Sequence, residues 1–219
     1  MKSPRLSEQL VNAIKKEARR HFLNARGSHD WDHTERVSKL CLRIARKEKA
    51  DCEVLKLAAL LHDIGREEED RSNGKVCHGE KGAELATGIL KKHGIEKKVI
   101  ERVVHCIETH RFRQNRPPQS LEAKILFDAD KLDSIGAVGI GRAFLFAGEV
   151  GARLHNPGMN PKKTKPYTKE DTAYREFLVK LRKIKGRLFT SEGKRLARER
   201  HRFMVRFFER LNKETKGIL

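Results

Sequence analysis

"LLHDIG", residues 60–65, is the stretch that decides how this chain folds. Leu60 and Leu61 close an apolar run that includes Leu55, Ala58 and Ala59, and His62 and Asp63 stand side by side at its end. Polar, metal-competent side chains at the edge of a core are costly unless they are paired or hold an ion. If this pair holds a metal, its partners lie elsewhere in the chain and face the same way. Helical geometry tests that, because neighbours on one helix face recur at i+3 and i+4.

In "WDHTERVSKLCLRI", His33 leads the apolar stripe Val37, Leu40, Cys41 and Ile44, so it faces inward. His62 continues the stripe of Leu55, Ala58 and Ala59, and Asp63 follows about 100° round the helix. In "EAKILFDADKLDSIGA", Leu126, Asp130, Asp133 and Ala137 share a face, whereas Asp128 points away from it. His78 shares a face with Gly82, Leu85 and Ile89, and His110 one with Ile100, Val103 and Ile107, while His105 lies with Glu101 on the polar side. Two imidazoles and two carboxylates, His33, His62, Asp63 and Asp130, form a mixed nitrogen and oxygen set. It suits Mn²⁺, Fe²⁺, Co²⁺, Ni²⁺ or Zn²⁺ and is too rich in nitrogen for a typical Mg²⁺ or Ca²⁺ site.

The rest of the chain reads at helical period, with helices expected over 7–23, 32–48, 53–64, 78–93, 96–110, 120–135, 137–149, 169–185 and 190–213. Breaks fall at "ARGSHD", "GREEEDRSNGK", "KHGIEK", "RFRQNRPPQ" and "LHNPGMNPKKTKPYT". At 219 residues this is read as one all-α domain, with a core over about 25–150, a loop at 151–168 and basic helices over 169–213 packed on the core. The loop is long enough to serve as a flap or lid, with disorder the alternative. "GAVGIGRAF" follows a helix and not a strand, so it is not a dinucleotide-binding turn; its glycines let two helices pack closely.

The four cysteines show no C-x-x-C spacing and are read as free thiols of a cytoplasmic protein. No apolar run approaches a membrane span or a signal peptide. The net charge is +19, and residues 151–219 hold 20 Lys and Arg against 7 Asp and Glu, so +13 of it lies in the last third. Such a field draws nucleotides, nucleic acid and acidic surfaces alike. Abundant Lys, Arg and Glu also suits a heat-adapted protein. For "KRLARERHRFMVRFFERL" the two readings are helix packing with an arginine-rich outer face, and binding of RNA or another polyanion.

The order His33, His62-Asp63, Asp130, within "DWDHTERV", "AALLHDIG", "HGEKGAELA", "DADKLDSIGAVGIGRAF" and "TSEGKRLARERHRFMVRFFE", resembles the HD-domain superfamily of metal-dependent phosphohydrolases over residues 25–213. The branch it resembles includes manganese-dependent nucleotide pyrophosphohydrolases. The resemblance implies an all-α helical bundle with the metal at its centre, and His33, His62, Asp63 and Asp130 as ligands. It implies that His78 and His110 complete a second metal site or bind substrate phosphate. Asp133 either joins the site or pairs with a cation. Arg66 stands where some nucleotidase-type relatives have a glutamate that activates water; for Arg66, Lys131, Arg111 and Arg113 the two readings are cations for substrate phosphates and solvated surface charges. The expected chemistry is attack of metal-bound water, oriented by Asp63, on a phosphate ester or phosphoanhydride of a nucleotide. The alternative is a basic nucleic-acid-binding protein whose HD site is vestigial or regulatory.

Overall fold

The computed structural model describes residues 5–23, 30–72, 74–111 and 116–219. Among them there are helices and no strand, as the all-α reading expects. By compactness the chain groups as Met1–Asp130 and Lys131–Leu219, a division inside the last turn of one helix and not at the 151–168 loop.

The first unit is built from α1 (Glu8–Arg19), α2 (Trp31–Glu48), α3 (Cys52–Leu61), α4 (Arg66–Arg71), α5 (His78–Lys92), α6 (Lys97–Thr109) and most of α7 (Leu121–Asp133). Side-chain caps set several starts: Asp30 accepts from His33 N at 3.1 Å, and Asp51 accepts from Glu53 N at 3.0 Å and Val54 N at 3.4 Å. α2 ends where Lys49 turns left-handed at φ 59°. α3 is the central helix, buried nearly all round through Val54, Leu55, Leu57, Ala58, Ala59, Leu60 and Leu61. It packs on α2, α6 and α1, while α5 packs on α6. The α3–α6–α7 corner is closed by ions: Arg102 bonds Asp51 at 2.8 Å and Glu122 at 3.3 Å, and Asp51 N donates to Glu122 at 3.0 Å.

Two expectations are corrected here. The helix expected over 53–64 ends at Leu61, and "GREEEDRSNGK", read as a break, contains α4. His62 and Asp63 therefore sit on the tight turn between two helices, closed by Ile64 N to Leu61 O at 3.4 Å and Arg66 N to Asp63 O at 3.0 Å. The turn exists because Gly65 lies against α5: a Cβ there would stand 2.5 Å from both Gly82 N and His78 O. Asp128 is also corrected. It lies off the face of Leu126, Asp130 and Asp133, yet it is fully buried, since Phe127 and Ala129 beside it are buried too.

The second unit holds α8 (Gly136–Glu149), α9 (Ala173–Val179) and α10 (Ser191–Glu214). Gly136 opens α8 at φ 81°, with a Cβ position only 3.0 Å from Arg200 of α10. That left-handed conformation and close approach explain a glycine in "GAVGIGRAF". The helix expected over 169–185 is shorter and broken: Thr172 caps α9 through Arg175 N, and a 3-10 segment follows over Leu181–Gly186. Its threefold repeat turns both Leu181 and Ile184 inward, which an α-helical continuation would splay. Phe177 stacks on Phe208 of α10 with ring centres 4.6 Å apart. The 151–168 loop is tied down by Arg153 N to Lys169 O at 2.9 Å, Thr172 to Asn156 at 2.6 Å, and Arg175 to Thr164 and Asp171, both at 2.7 Å. These bonds answer the disorder reading, since they hold the loop against the start of α9. Cys41, Cys52, Cys77 and Cys106 are free thiols. Among the described residues no helix is long and apolar enough to cross a membrane.

Candidate metal centre

Six of the side chains picked out in the sequence meet in the first unit. His33 comes from the first turn of α2, His62 and Asp63 from the turn after α3, His78 from the start of α5, His110 from the end of α6 and Asp130 from α7. They form two groups of donors, His33, His62 and Asp130, and Asp63, His78 and His110, with ligand atoms in each within 4.8 Å of one another. All are buried except Asp130, whose side chain is 17% exposed.

Asp63 lies between the groups. Its Oδ2 faces His33 Nε2 at 3.6 Å and His62 Nε2 at 3.7 Å, whereas Oδ1 faces His78 Nε2 at 3.2 Å and His110 Nε2 at 3.6 Å. In the first group His33 Nε2 is 3.4 Å from His62 Nε2 and 3.3 Å from Asp130 Oδ1. In the second, the Nε2 atoms of His78 and His110 are 3.1 Å apart.

Which ring nitrogens carry protons follows from their other partners. His62 Nδ1 lies 2.8 Å from Ala59 O and His110 Nδ1 lies 2.5 Å from Ile107 O; a carbonyl only accepts, so both Nδ1 atoms are donors. His78 Nδ1 donates to Glu69 Oε2. With Nδ1 committed to these partners, all three rings direct Nε2 into the centre. Burial favours the neutral form, lowering His62 and pushing His110 down to about 4. Lone pairs facing each other and carboxylate oxygens repel unless a cation lies among them. Ligands about 2.1 Å from one ion, at angles of about 90–110°, are about 3.0–3.4 Å apart. The distances from His33 to His62 and Asp130 and from His78 to His110 and Asp63 fall in that range, while those from Asp63 to His33, His62 and His110 are slightly longer. The donor set fits a divalent metal ion in each group.

Arg66 and Glu69, both on α4, brace the centre. Arg66 donates to both Asp63 oxygens at 3.0 and 3.1 Å and approaches His78 Nε2 at 3.2 Å. Burial alone would lift the Asp63 carboxyl, yet Arg66 and the surrounding imidazoles hold it well below the usual carboxylate range. Burial would lift Glu69 too, but bonds from His78 and Arg111, the latter at 2.9 Å, lower it to about 2.

The remaining expected residues lie elsewhere. Asp133 accepts from Arg142 at 2.9 Å in the second unit, the ion-pair alternative, and Lys131 begins that unit. Arg111 contacts Glu69 and, at 3.8 Å, Cys77 Sγ, and Arg113 lies outside the described residues. Glu69 had gone unassigned in the sequence. Its signal was its place one helical turn after Arg66, which puts both on one face of α4. Replacing Glu69 with Gln removes the carboxylate that fixes the His78 tautomer. It is expected to weaken metal affinity by 10–100-fold, read by competition with a chelating dye, with the fold retained.

The description of the HD domain matches residues 30–135. The uncharacterized protein YpgQ of Bacillus subtilis (strain 168) is 37% identical over 194 residues, spanning 87% of this chain and 86% of its own length. The crystal structure of Bacillus subtilis YpgQ in complex with ADP superposes with a TM-score of 0.73 at 31% identity, covering 96% of this chain and 97% of that one. An HD-superfamily hydrolase from Bacillus thuringiensis superposes with a TM-score of 0.75 at 26% identity, covering 95% and 98%. With these residues in this order on this helical frame, the chain belongs to the HD-domain family.

Proposed function

We propose that this chain is a metal-dependent phosphohydrolase whose substrate is a phosphate ester or phosphoanhydride of a nucleotide. The observation that carries the reading is Asp63, one oxygen turned to each of two buried groups of ligand atoms. His33, His62, Asp63 and Asp130 would hold one divalent ion, and Asp63, His78 and His110 a second. Manganese is the preferred metal, with Fe, Co, Ni and Zn as competitors for the same donors. When bound, such ions polarise a phosphoryl oxygen and lower the pKa of water.

The chain's own residues do the rest. Asp63 accepts a hydrogen bond from the attacking water and orients it toward phosphorus. Arg66, which keeps Asp63 ionised, has a side chain 21% exposed and offers its guanidinium to a phosphate that does not react. Glu69 and the Ala59 and Ile107 carbonyls hold the imidazoles in one tautomer, so their donor atoms are in place before substrate arrives. Water adds to phosphorus, the P–O bond to the leaving group breaks, and the leaving oxygen takes the proton. Release of diphosphate from a nucleoside triphosphate is the preferred reaction. The hydrolase from Bacillus thuringiensis supports the class of reaction, and the ADP complex of YpgQ supports a nucleotide ligand.

The test is metal analysis of the purified protein together with a panel of nucleotides and phosphoesters assayed with added Mn²⁺. Bound transition metal, turnover dependent on it and loss of both in His62→Ala are expected, and the product, phosphate or diphosphate, names the bond. Absence of metal, with no turnover in any divalent ion, would overturn the reading.

A further inference from the structure

We propose that the outer face of α10, with the 3-10 segment Leu181–Gly186 beside it, binds single-stranded RNA. The reasoning starts from how the charges on α10 are paired. On one side Arg195 bonds Glu192 at 2.7 Å, and near the end of the helix Arg210 bonds Glu214 at 2.5 Å. Such pairs at i+3 and i+4 support a helix. Arg198, Arg202 and Arg206 repeat every four residues, all exposed, and like charges at that spacing destabilise one. No carboxylate pairs with any of the three, or with Lys185, among the described residues. The helix thus carries a row of mutually repelling cations that folding alone does not call for.

The row borders a concavity. Lys185, Arg198, His201 and Arg202 line a cavity of about 420 Å³ with no acidic residue in its wall. Burial, and then the charge of Lys185, lower His201, so at neutral pH the ring adds a hydrogen-bonding edge to the wall and not a charge. A cation every four residues is one about every 6 Å along the helix, using the 1.5 Å rise. That step is comparable with the distance between successive phosphates of an extended single strand.

Charge alone would accept any polyanion, and the neighbouring aromatic decides among them. Phe203 is 43% exposed, directly after Arg202 and three residues before Arg206. An exposed phenyl ring one turn from Arg206, at the side of the row, offers an acidic peptide or a free phosphate nothing, but it offers a nucleobase a stacking surface. Phosphate-tracking cations with an aromatic beside them are the parts of a single-strand platform. This site uses only residues of the second unit, and it stands whether or not the metal centre hydrolyses nucleotides.

The experiment is fluorescence anisotropy of a labelled oligouridylate of about 12 nucleotides with the full-length protein. Each phosphate contact on a single strand contributes about 0.7 to the slope of log K against log salt. The four cations therefore predict a slope near −3, of which Lys185→Ala/Arg198→Ala/Arg202→Ala should remove about 2, with an affinity about 100-fold lower at 0.1 M salt. The charge-preserving Lys185→Arg/Arg198→Lys/Arg202→Lys protein should bind like wild type, which separates lost charge from a damaged fold. Phe203→Ala should weaken RNA binding about tenfold while leaving that slope unchanged. Equal competition by polyglutamate, with no effect of Phe203→Ala, would overturn the RNA assignment in favour of an acidic protein. No binding at low salt, or an unchanged affinity in the triple alanine variant, would overturn the site itself.

Discussion

Asp63→Asn is expected to reduce metal-dependent phosphate release by on the order of 10³-fold and to empty the centre of metal. The size follows from what the carboxylate touches. Both oxygens are engaged, Oδ2 toward His33 and His62, Oδ1 toward His78 and His110. An amide of the same shape has one oxygen and a nitrogen that cannot ligate, so at least one group of donors loses its carboxylate. Metal ions supply several kcal/mol of transition-state stabilisation, and each 1.36 kcal/mol is tenfold in rate. The measurement is kcat/KM with saturating Mn²⁺ alongside metal content. Glu69→Gln, which reaches the donor set through His78, should fall between this variant and wild type. Wild-type rates in Asp63→Asn would remove Asp63 from the chemistry and with it the two-group reading of the centre.

Gly65→Ala should damage both the fold and the metal centre. Gly65 has an ordinary negative φ of −88°, so its role is space and not backbone freedom. An added methyl meets Gly82 N and His78 O at 2.5 Å, and both are backbone atoms that cannot rotate away. Overpacking of this kind costs about 1–3 kcal/mol, and a rigid backbone neighbour puts it at the upper end. For a chain of this size that lowers Tm by roughly 6–12 °C. The same shift carries His78 away from Asp63, and a misplacement of about 1 Å at a catalytic centre can cost about 10²-fold. The control is Gly88→Ala on the exposed side of α5, where an added Cβ meets nothing within 4 Å. There the better helix former should raise stability by about 0.8–1 kcal/mol. A Gly65→Ala protein that melts with wild type would mean that α5 does not rest on the turn as described.

The two variants also separate the levels on which the "LLHDIG" stretch works. Asp63 carries the proposed chemistry, whereas Gly65 is the geometry that lets a helix end, turn and begin again beneath α5. The turn is what brings an inward histidine and an inward aspartate together with residues from four other helices.

Much of this was legible in the sequence because it depends on local periodicity. The all-α class follows from apolar spacing. So does the inward placing of His33, which heads the buried stripe of Val37, Leu40, Cys41 and Ile44, and the choice of His110 over His105. What periodicity could not supply is anything set by the approach of distant backbone. The end of α3 at Leu61, the pairing of Glu69 with His78 and the division of Asp63 between two groups of donors all depend on where α5 lies. The stripe rule also failed to mark Asp128 as buried, because α7 buries residues beyond the one face that the rule counted. Helix faces are decided within one turn of chain and can be counted off a sequence. The distances between ligand atoms are decided by how helices cross, and only the packed structure carries them.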